Sequence, residues 1–414
     1  MRGVDEDRAI VDLRELAAFG KLGTGVSRAA MTDIDIEARE WLQRRMAESG
    51  LDATIDGVGN VYGRAPGAKA SVILGSHSDT VPRGGWLDGA LGVIFALEIA
   101  RARQATHPGA AVGVDAISFA DEEGTFLACL GSRSFCEALS DAELAGARNG
   151  MGEALPQRLA QLRLAGRDLA RVDPARHRAY FEAHIEQGPR LVDSRIDIGV
   201  VSGIVGLRRH RVHFQGQADH AGTTPMAVRR DAAFALFGFA TEVAGRFRAA
   251  GSADSVWNFG VVNIRPGAAN VVPSEAELVV EFRDLETPVM ARMEQALLEV
   301  ARARDGADGV AVSSTLIASI APTAMDERLI ARIATAAGVH SASSVRMQSG
   351  AGHDAMIMAR RIPAAMLFVP SIGGRSHDIS EDTDEADIRG GLRVFAAAVE
   401  ATIEALGSDG GGAL

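Results

Sequence analysis

Apolar runs that stop at polar, glycine-rich turns alternate along this chain with stretches whose apolar residues recur at helical spacing. Residues 5–19 place Ile10, Leu13, Leu16 and Ala17 on one helical face. Thr32 caps a second helix with acidic residues in its first turn, Leu42 and Met46 on one side and Gly50 as its stop. Asp56-Gly57 signals a hairpin between short extended pieces. Val72–Leu74 then reads as a buried strand, 90–102 as an apolar crossover helix, and VGVDAISF, 112–119, as a second core strand. Residues 141–175 read as helical and surface-borne, 179–189 as a third strand, AAMLFVPS, 364–371, as a further buried strand, and 384–406 as the last helix. The closing GSDGGGAL, 407–414, reads as a disordered tail. Strand, helix, strand with carboxylates at the strand ends predicts a doubly wound α/β sheet with helices on both faces.

From about 208 the pattern changes. Strands near 257–265, 275–283 and 309–317, with helices near 228–248 and 287–303, predict an antiparallel α+β set the length of one small domain. A chain of 414 residues is too long for one ordinary core. The expected organisation is therefore a discontinuous catalytic domain, 1–207 and 325–414, interrupted by an inserted lid domain, 208–324, with linkers near 205 and 322 that can hinge.

Composition narrows the functional classes. Hydrophobic residues at 47% and charged residues at 23% are those of a water-soluble globular protein. A net charge of −11 argues against nucleic acid as the main partner, because phosphate binding needs a clustered basic surface. There is no apolar run of membrane-spanning length, and MRGVDEDRAIVDL has no apolar secretory core, so no membrane partner is expected and the location is cytoplasmic. Cys129 and Cys136 lie seven apart without CxxC spacing and read as reduced thiols.

The chemistry gathers at strand ends. GSHSDTVPRGGWLDG, 75–89, places His77, Asp79 and Asp88 after a buried strand, with Asp79 two residues from His77 on the same side of an extended segment. Glu122 and Glu123 follow the second strand, His184 ends the third, and His377 follows the late one. Imidazoles and carboxylates without thiolates suit a first-row divalent ion better than a structural Cys-rich zinc site. Glu122 and Glu123 are neighbours and point opposite ways, so one can bind metal while the other acts as general base. Taken singly, His77 also fits a polar strand terminus, and the acidic pair the start of a surface turn.

Together GSHSDTVPRGGWLDGALGV, FADEEG, HIEQGP, DHAGTTPM, SGAGHDA and the late SHD resemble the hydantoinase/carbamoylase group of dinuclear metal amidohydrolases. These relatives of the M20 peptidases include N-carbamoyl-L-amino-acid hydrolases, β-ureidopropionases and allantoate amidohydrolases. The resemblance runs from about residue 10 to 405 and implies a zinc-peptidase-like metal domain with a mixed sheet. It also implies two divalent ions per subunit, zinc, manganese or cobalt, held by His77, Asp88 and His184 and by Asp88, Glu123 and His377, with Asp88 bridging. By the same likeness Asp79 is the carboxylate that fixes the His77 ring, Glu122 the general base, and His220 the oxyanion donor, often acting across a dimer interface. Gln187, His220, Asn270, Arg283, Gly352 and His353 would contact substrate, with Arg283 gripping a carboxylate in a bidentate fork. His220 alone also fits a solvated loop residue, and Arg283 a surface partner of Glu281 or Asp284.

The implied reaction is hydrolysis of an N-carbamoyl-L-amino acid to amino acid, CO₂ and ammonia by a homodimer. Allantoate and N-acyl amino acids or dipeptides are alternative substrates, and a metal-containing binding protein without catalysis is the alternative of another class. Thr125, Arg190 and Asp378 depart from the family's usual residues, which leaves the substrate open. His107, His177, His210, His213 and His340 match no motif and read as structural or surface residues.

Overall fold

The computed structural model describes residues 1–341 and 343–408; of the tail read as disordered, 409–414 lie outside the described residues. The chain divides into two compact units, Met1–Ser202 with Met325–Leu414, and Gly203–Ala324.

The larger unit is built on a mixed nine-stranded sheet. Its centre is four parallel strands in the order Ala364–Val369, His177–Ile185, Ala70–His77, Val112–Phe119. Val61–Arg64 and Asp52–Ile55 extend one side antiparallel, and Ile198–Ile204 pairs antiparallel on the other. All eight residues of Val112–Phe119 are buried, as a strand covered on both faces requires. The helix Ala90–Thr106 connects two parallel neighbours and packs on both, while Glu385–Ser408 lies over the same central strands. In the order of these four strands, every carboxyl end faces one edge, and the polar turns that follow them must meet there.

Local sequence explains the elements that hold this frame. The Thr32 hydroxyl accepts the Asp35 N–H at 3.3 Å and opens the helix Asp33–Glu48, which ends before Gly50 at a φ of +83°. Asp56 Oδ1 accepts the N–H groups of Val58 and Asn60, closing the hairpin where Asp56-Gly57 predicts it. Residues 141–175 are less helical than their sequence indicates. Only Asp141–Gly146 and Leu155–Gln161 are helices, the remainder being turns anchored by buried Leu164 and Val172.

The smaller unit is a four-stranded antiparallel sheet in the order Val256–Arg265, Glu275–Asp284, Gly206–Gln215, Ala311–Ile320. Along Glu275–Asp284 every second residue is buried, and Ala276, Leu278, Val280 and Phe282 meet the helices Ala232–Ala250 and Thr287–Arg304 in a core with Phe214, Phe239 and Phe247. This unit begins at Gly203, because Leu207 and Arg208 are already paired with Arg283 and Phe282 in its own sheet. Among the described residues no helix is long and apolar enough to cross a membrane.

Candidate metal centre

The carboxyl edge of the parallel strands gathers His77, Asp88, Glu123, His184 and His377. His77, Asp88 and His184 form one group and Asp88, Glu123 and His377 another, with the potential ligand atoms of each within 4.8 Å of one another. Asp88 belongs to both and divides its oxygens. Its Oδ1 lies 3.0 Å from His184 Nε2 and 3.8 Å from His77 Nε2, while Oδ2 lies 3.3 Å from His377 Nε2. The first group is buried; the second opens to solvent through His377, whose side chain is 51% exposed.

Hydrogen bonding fixes the tautomers in the buried group. His77 Nδ1 faces the Asp79 carbonyl at 3.0 Å and His184 Nδ1 the Ile185 carbonyl at 2.8 Å. A carbonyl only accepts, so each Nδ1 carries hydrogen and each Nε2 of the neutral ring offers a lone pair to the group. Gly89 N–H donates to His184 Nε2 at 3.2 Å, in keeping with that assignment. His184 Nε2 and Asp88 Oδ1, 3.0 Å apart, therefore need a proton or a cation between them. Glu123 Oε1 gives a second sign. It is buried and accepts no aligned hydrogen bond, although His377 Nε2 stands 3.3 Å away. The donor set and these underused lone pairs fit two divalent cations.

The field of the cavity favours positive charge. Burial opposes a charged His77, but Glu122, Asp79 and Asp88 outweigh it and raise its pKa well above the ordinary value. Burial likewise opposes an ionised Asp88, yet hydrogen bonds with His184 and His377 take it well below the carboxylate range. The Asp88 and Glu123 carboxylates beside it push His377 up to about 10. Glu122 belongs to neither ligand group. Its Oε2 is 3.7 Å from His77 Nε2, its Oε1 is 3.8 Å from Cys129 Sγ, and burial raises its pKa well above the usual range against the pull of His77.

One sequence expectation is corrected here. The Asp79 carboxylate does not hold the His77 ring; its backbone carbonyl does. The strand ends at His77, so the alternation that would keep both side chains on one side stops there. The Asp79 carboxylate instead accepts the N–H groups of Asp121 at 3.0 Å and Glu123 at 3.3 Å, and thereby sets the acidic turn. His353, expected among the substrate contacts, lies in the interior. It is 2% exposed, bonds Ser349 Oγ at 2.9 Å and packs its ring 4.5 Å from that of His184, while burial, then His184, hold its pKa well down. Gly352 beside it is exposed. Gln187, at a φ of +58°, donates from Nε2 to Asp88 Oδ2 at 3.2 Å.

His220, Asn270 and Arg283 belong to the smaller unit. The exposed His220 accepts the Gly222 and Thr223 N–H groups at Nδ1, at 3.1 and 3.2 Å, which leaves Nε2 as its donor. The Ala221 N–H donates to the Asn270 carbonyl at 3.0 Å, so these two loops adjoin. Arg283 sits at the opposite end of Glu275–Asp284 and pairs with Glu281 at 2.8 Å. Eight residues of strand, about 27 Å when extended, separate it from the end beside Asn270.

Three supporting residues are not evident from the motifs. Arg39 is fully buried and donates to Asp35 Oδ2 at 2.9 Å and Asp79 Oδ1 at 3.3 Å. Its signal is an oppositely charged pair four residues apart on the stripe that also carries Ala38, Leu42 and Met46. Asp121 accepts the N–H groups of Thr125, Phe126 and Leu127 and shapes the turn after Glu122-Glu123. Glu381 joins the Asp88 and His377 loops; its sole signal is an acid four residues after His377.

Comparison with known proteins places this geometry. Residues 73–401 match the model of peptidase family M20/M25/M40. The chain is 34% identical over 401 residues to an N-carbamoyl-L-amino-acid amidohydrolase of Paenarthrobacter aurescens, covering 94% of this chain and 96% of that protein. It is 33% identical to an allantoate amidohydrolase of Escherichia coli K12, with 92% and 94% covered. Among solved structures, a hydantoinase/carbamoylase family amidase from Burkholderia phymatum is 45% identical with a TM-score of 0.93, over 97% of this chain and 98% of that one.

Proposed function

Because the chain belongs to peptidase family M20/M25/M40, in the hydantoinase/carbamoylase group of amidohydrolases that act on C–N bonds other than peptide bonds, we propose that it cleaves the ureido group of N-carbamoyl-L-amino acids. One observation carries the reading: Asp88 is shared by two ligand groups while Glu122 stands beside them and belongs to neither. His77, Asp88 and His184 would hold one divalent ion and Asp88, Glu123 and His377 a second, zinc, manganese or cobalt. The ions, when bound, supply Lewis acidity and acidify water.

The chain's own groups do the rest. Glu122 takes the proton of the attacking water and delivers it to the departing nitrogen, a role suited to a carboxylate that stands beside both ligand groups and belongs to neither. The His220 Nε2–H donates to the carbonyl oxygen as negative charge develops there. Arg283 holds the substrate carboxylate in a two-pronged pair, assisted by Asn270 and by Gln187 and Gly352. The products are an amino acid, CO₂ and ammonia.

The separation of Arg283 from His220 and Asn270 within one unit exceeds the length of a small ureido substrate. It supports a homodimer in which the two ends serve one substrate from different copies. Allantoate is the second reading, because the allantoate amidohydrolase is as similar over as much of the chain.

Ammonia release from N-carbamoyl-L-amino acids, N-carbamoyl-β-alanine, allantoate and N-acetyl amino acids, with and without Mn²⁺, Zn²⁺ or Co²⁺, tests the assignment. Metal-dependent turnover confined to N-carbamoyl-L-amino acids is expected; turnover of allantoate alone selects the second reading. Glu122→Gln is expected to lower turnover by at least about 10²-fold, and near-normal turnover in that variant removes Glu122 as the base.

A further inference from the structure

One carboxylate beside the candidate metal centre has no part in the reaction above. Glu381 is 1% exposed and every donor that reaches it is uncharged. Its Oε1 accepts the backbone N–H groups of Asp88 at 3.0 Å and Leu87 at 3.3 Å, and its Oε2 accepts the Ser376 hydroxyl at 2.8 Å. A Cβ on Gly85 would overlap the same carboxylate. Glu381 thus joins the loop that delivers Asp88 to the loop that delivers His377.

Burying a second carboxylate next to Asp88 is costly, and a neutral side chain of the same shape would avoid that cost. What the group supplies in its carboxylate form is hydrogen-bond direction. Ser376 has one proton, and two acceptors compete for it: Glu381 Oε2 at 2.8 Å and Asp88 Oδ2 at 3.4 Å. Gln187 Nε2 donates to Ser376 Oγ at 3.1 Å, so that oxygen already serves as an acceptor. With the hydroxyl turned to Glu381, Asp88 Oδ2, which already accepts the Gln187 amide at 3.2 Å, keeps its remaining lone pair for the side that faces His377 at 3.3 Å. In Glu381→Gln the amide oxygen can still accept the two backbone N–H groups, but its NH₂ must then donate to Ser376 Oγ. The Ser376 proton is left with Asp88 Oδ2 as its partner.

We propose that Glu381 is a positioning residue for the second cation: by fixing the Ser376 hydroxyl it keeps Asp88 Oδ2 available to the group formed with Glu123 and His377. The inference rests on the two-cation reading. Its test is Mn²⁺ binding to the full-length, chelator-treated protein, followed by calorimetry and by the spin-coupled electron paramagnetic resonance signal of adjacent ions.

The unsubstituted protein is expected to take up two equivalents. E381Q should bind the first normally and the second about 10–100-fold more weakly, with the spin-coupled signal lost at equal metal loading. Adding S376A to E381Q removes the misdirected proton and should return the second equivalent to within about threefold of S376A alone. S376A by itself leaves the buried carboxylate in place and should change the second affinity by less than about threefold, since its proton points away from Asp88.

Normal binding of both equivalents by E381Q overturns the proposal. So does a second equivalent that stays weak in E381Q/S376A, or a tenfold change in S376A alone, which remains decisive if E381Q does not fold. Failure of the unsubstituted protein to bind a second ion would overturn the two-cation reading itself, and is seen before any variant is made.

Discussion

Arg39→Met tests whether the metal centre depends on a charge buried behind it. Arg39 is fully enclosed and makes four contacts: Asp35 Oδ2 at 2.9 Å, Asp79 Oδ1 at 3.3 Å, the Gly59 carbonyl at 3.0 Å and the Phe119 carbonyl at 3.3 Å. Methionine fills part of the volume but donates to none of them. Two carboxylates then lose their hydrogen-bonded counter-charge and keep only the field of the buried Arg28 guanidinium, and removing one partner of a buried ion pair costs about 3–5 kcal/mol. At an m-value near 2 kcal/mol per molar urea, the midpoint should fall by about 1.5–2.5 M.

Trp257 lies in the smaller unit, so urea unfolding followed by fluorescence in a Trp257→Phe background reports the larger one through Trp41 and Trp86. Arg39→Met with Asp35→Asn removes one stranded charge and should recover about 1–3 kcal/mol. The pH dependence has a definite sign. Burial already raises the Asp35 pKa against the attraction of Arg39, and loss of Arg39 raises it further. A carboxyl raised in the folded state destabilises once pH exceeds its unfolded value, so the deficit is full near neutrality and shrinks as pH falls toward about 4. A loss under about 1 kcal/mol at neutral pH, or a loss that grows on acidification, would refute the reasoning.

Gly89→Ala should disable the buried ligand group. Gly89 has a φ of +65°, and a Cβ there would stand 2.5 Å from three atoms of the His77 ring, which the Asp79 carbonyl holds in place; left-handed strain and overpacking together should cost about 2–5 kcal/mol. Urea unfolding and Mn²⁺ stoichiometry check this, and unchanged binding with an unchanged midpoint would contradict it. In the ion-free protein Asp88 and Glu123 hold the His377 proton up to a pKa of about 10, so an ion must displace it. Mn²⁺ affinity of the second equivalent should therefore rise with pH, by at most about tenfold per unit, in titrations at about pH 6.5, 7.5 and 8.5; a flat profile would exclude His377 as a ligand.

Of the residues expected to touch metal, His77, His184 and Glu123 were legible because they lie within or soon after an apolar strand, whereas Asp88 and His377 stand further along the loops and were legible through their motifs. Val72–Leu74 predicts where His77 emerges, and the run ending at Phe119 predicts where Glu122 and Glu123 emerge, before any tertiary contact is known. Parallel order then brings the strand ends to one edge. Period-two reasoning failed two residues beyond the strand, at Asp79, because it has no authority over a turn. It could not find Gly203 as the start of the smaller unit either, since pairing of Leu207 with Arg283 joins positions far apart in sequence. The segment 141–175 was misread for a different reason. Gly146, Gly150, Gly152 and Gly166 interrupt it, and its buried anchors Leu155, Leu159, Leu164 and Val172 follow no single period.

The residues hidden from sequence reasoning are those whose work lies in distant contacts. Arg39 reaches Asp79 forty positions away, and Glu381 reaches Asp88 from nearly the other end of the chain. Neither pair leaves a local pattern, yet each fixes a backbone N–H or a hydroxyl whose direction decides what a ligand oxygen can do. Asp79 receives the Arg39 charge on one side and the Glu123 N–H on the other, so the acidic turn is held by a buried side chain. Asp88 is held through its own backbone N–H by Glu381, while its Oδ1 faces one ligand group and its Oδ2, which also accepts the Gln187 amide, faces the other. A bridging carboxylate must keep two oxygens in different surroundings at once, one enclosed and one open. That demand explains why a second buried acid stands behind it, where an apolar residue would be more stable.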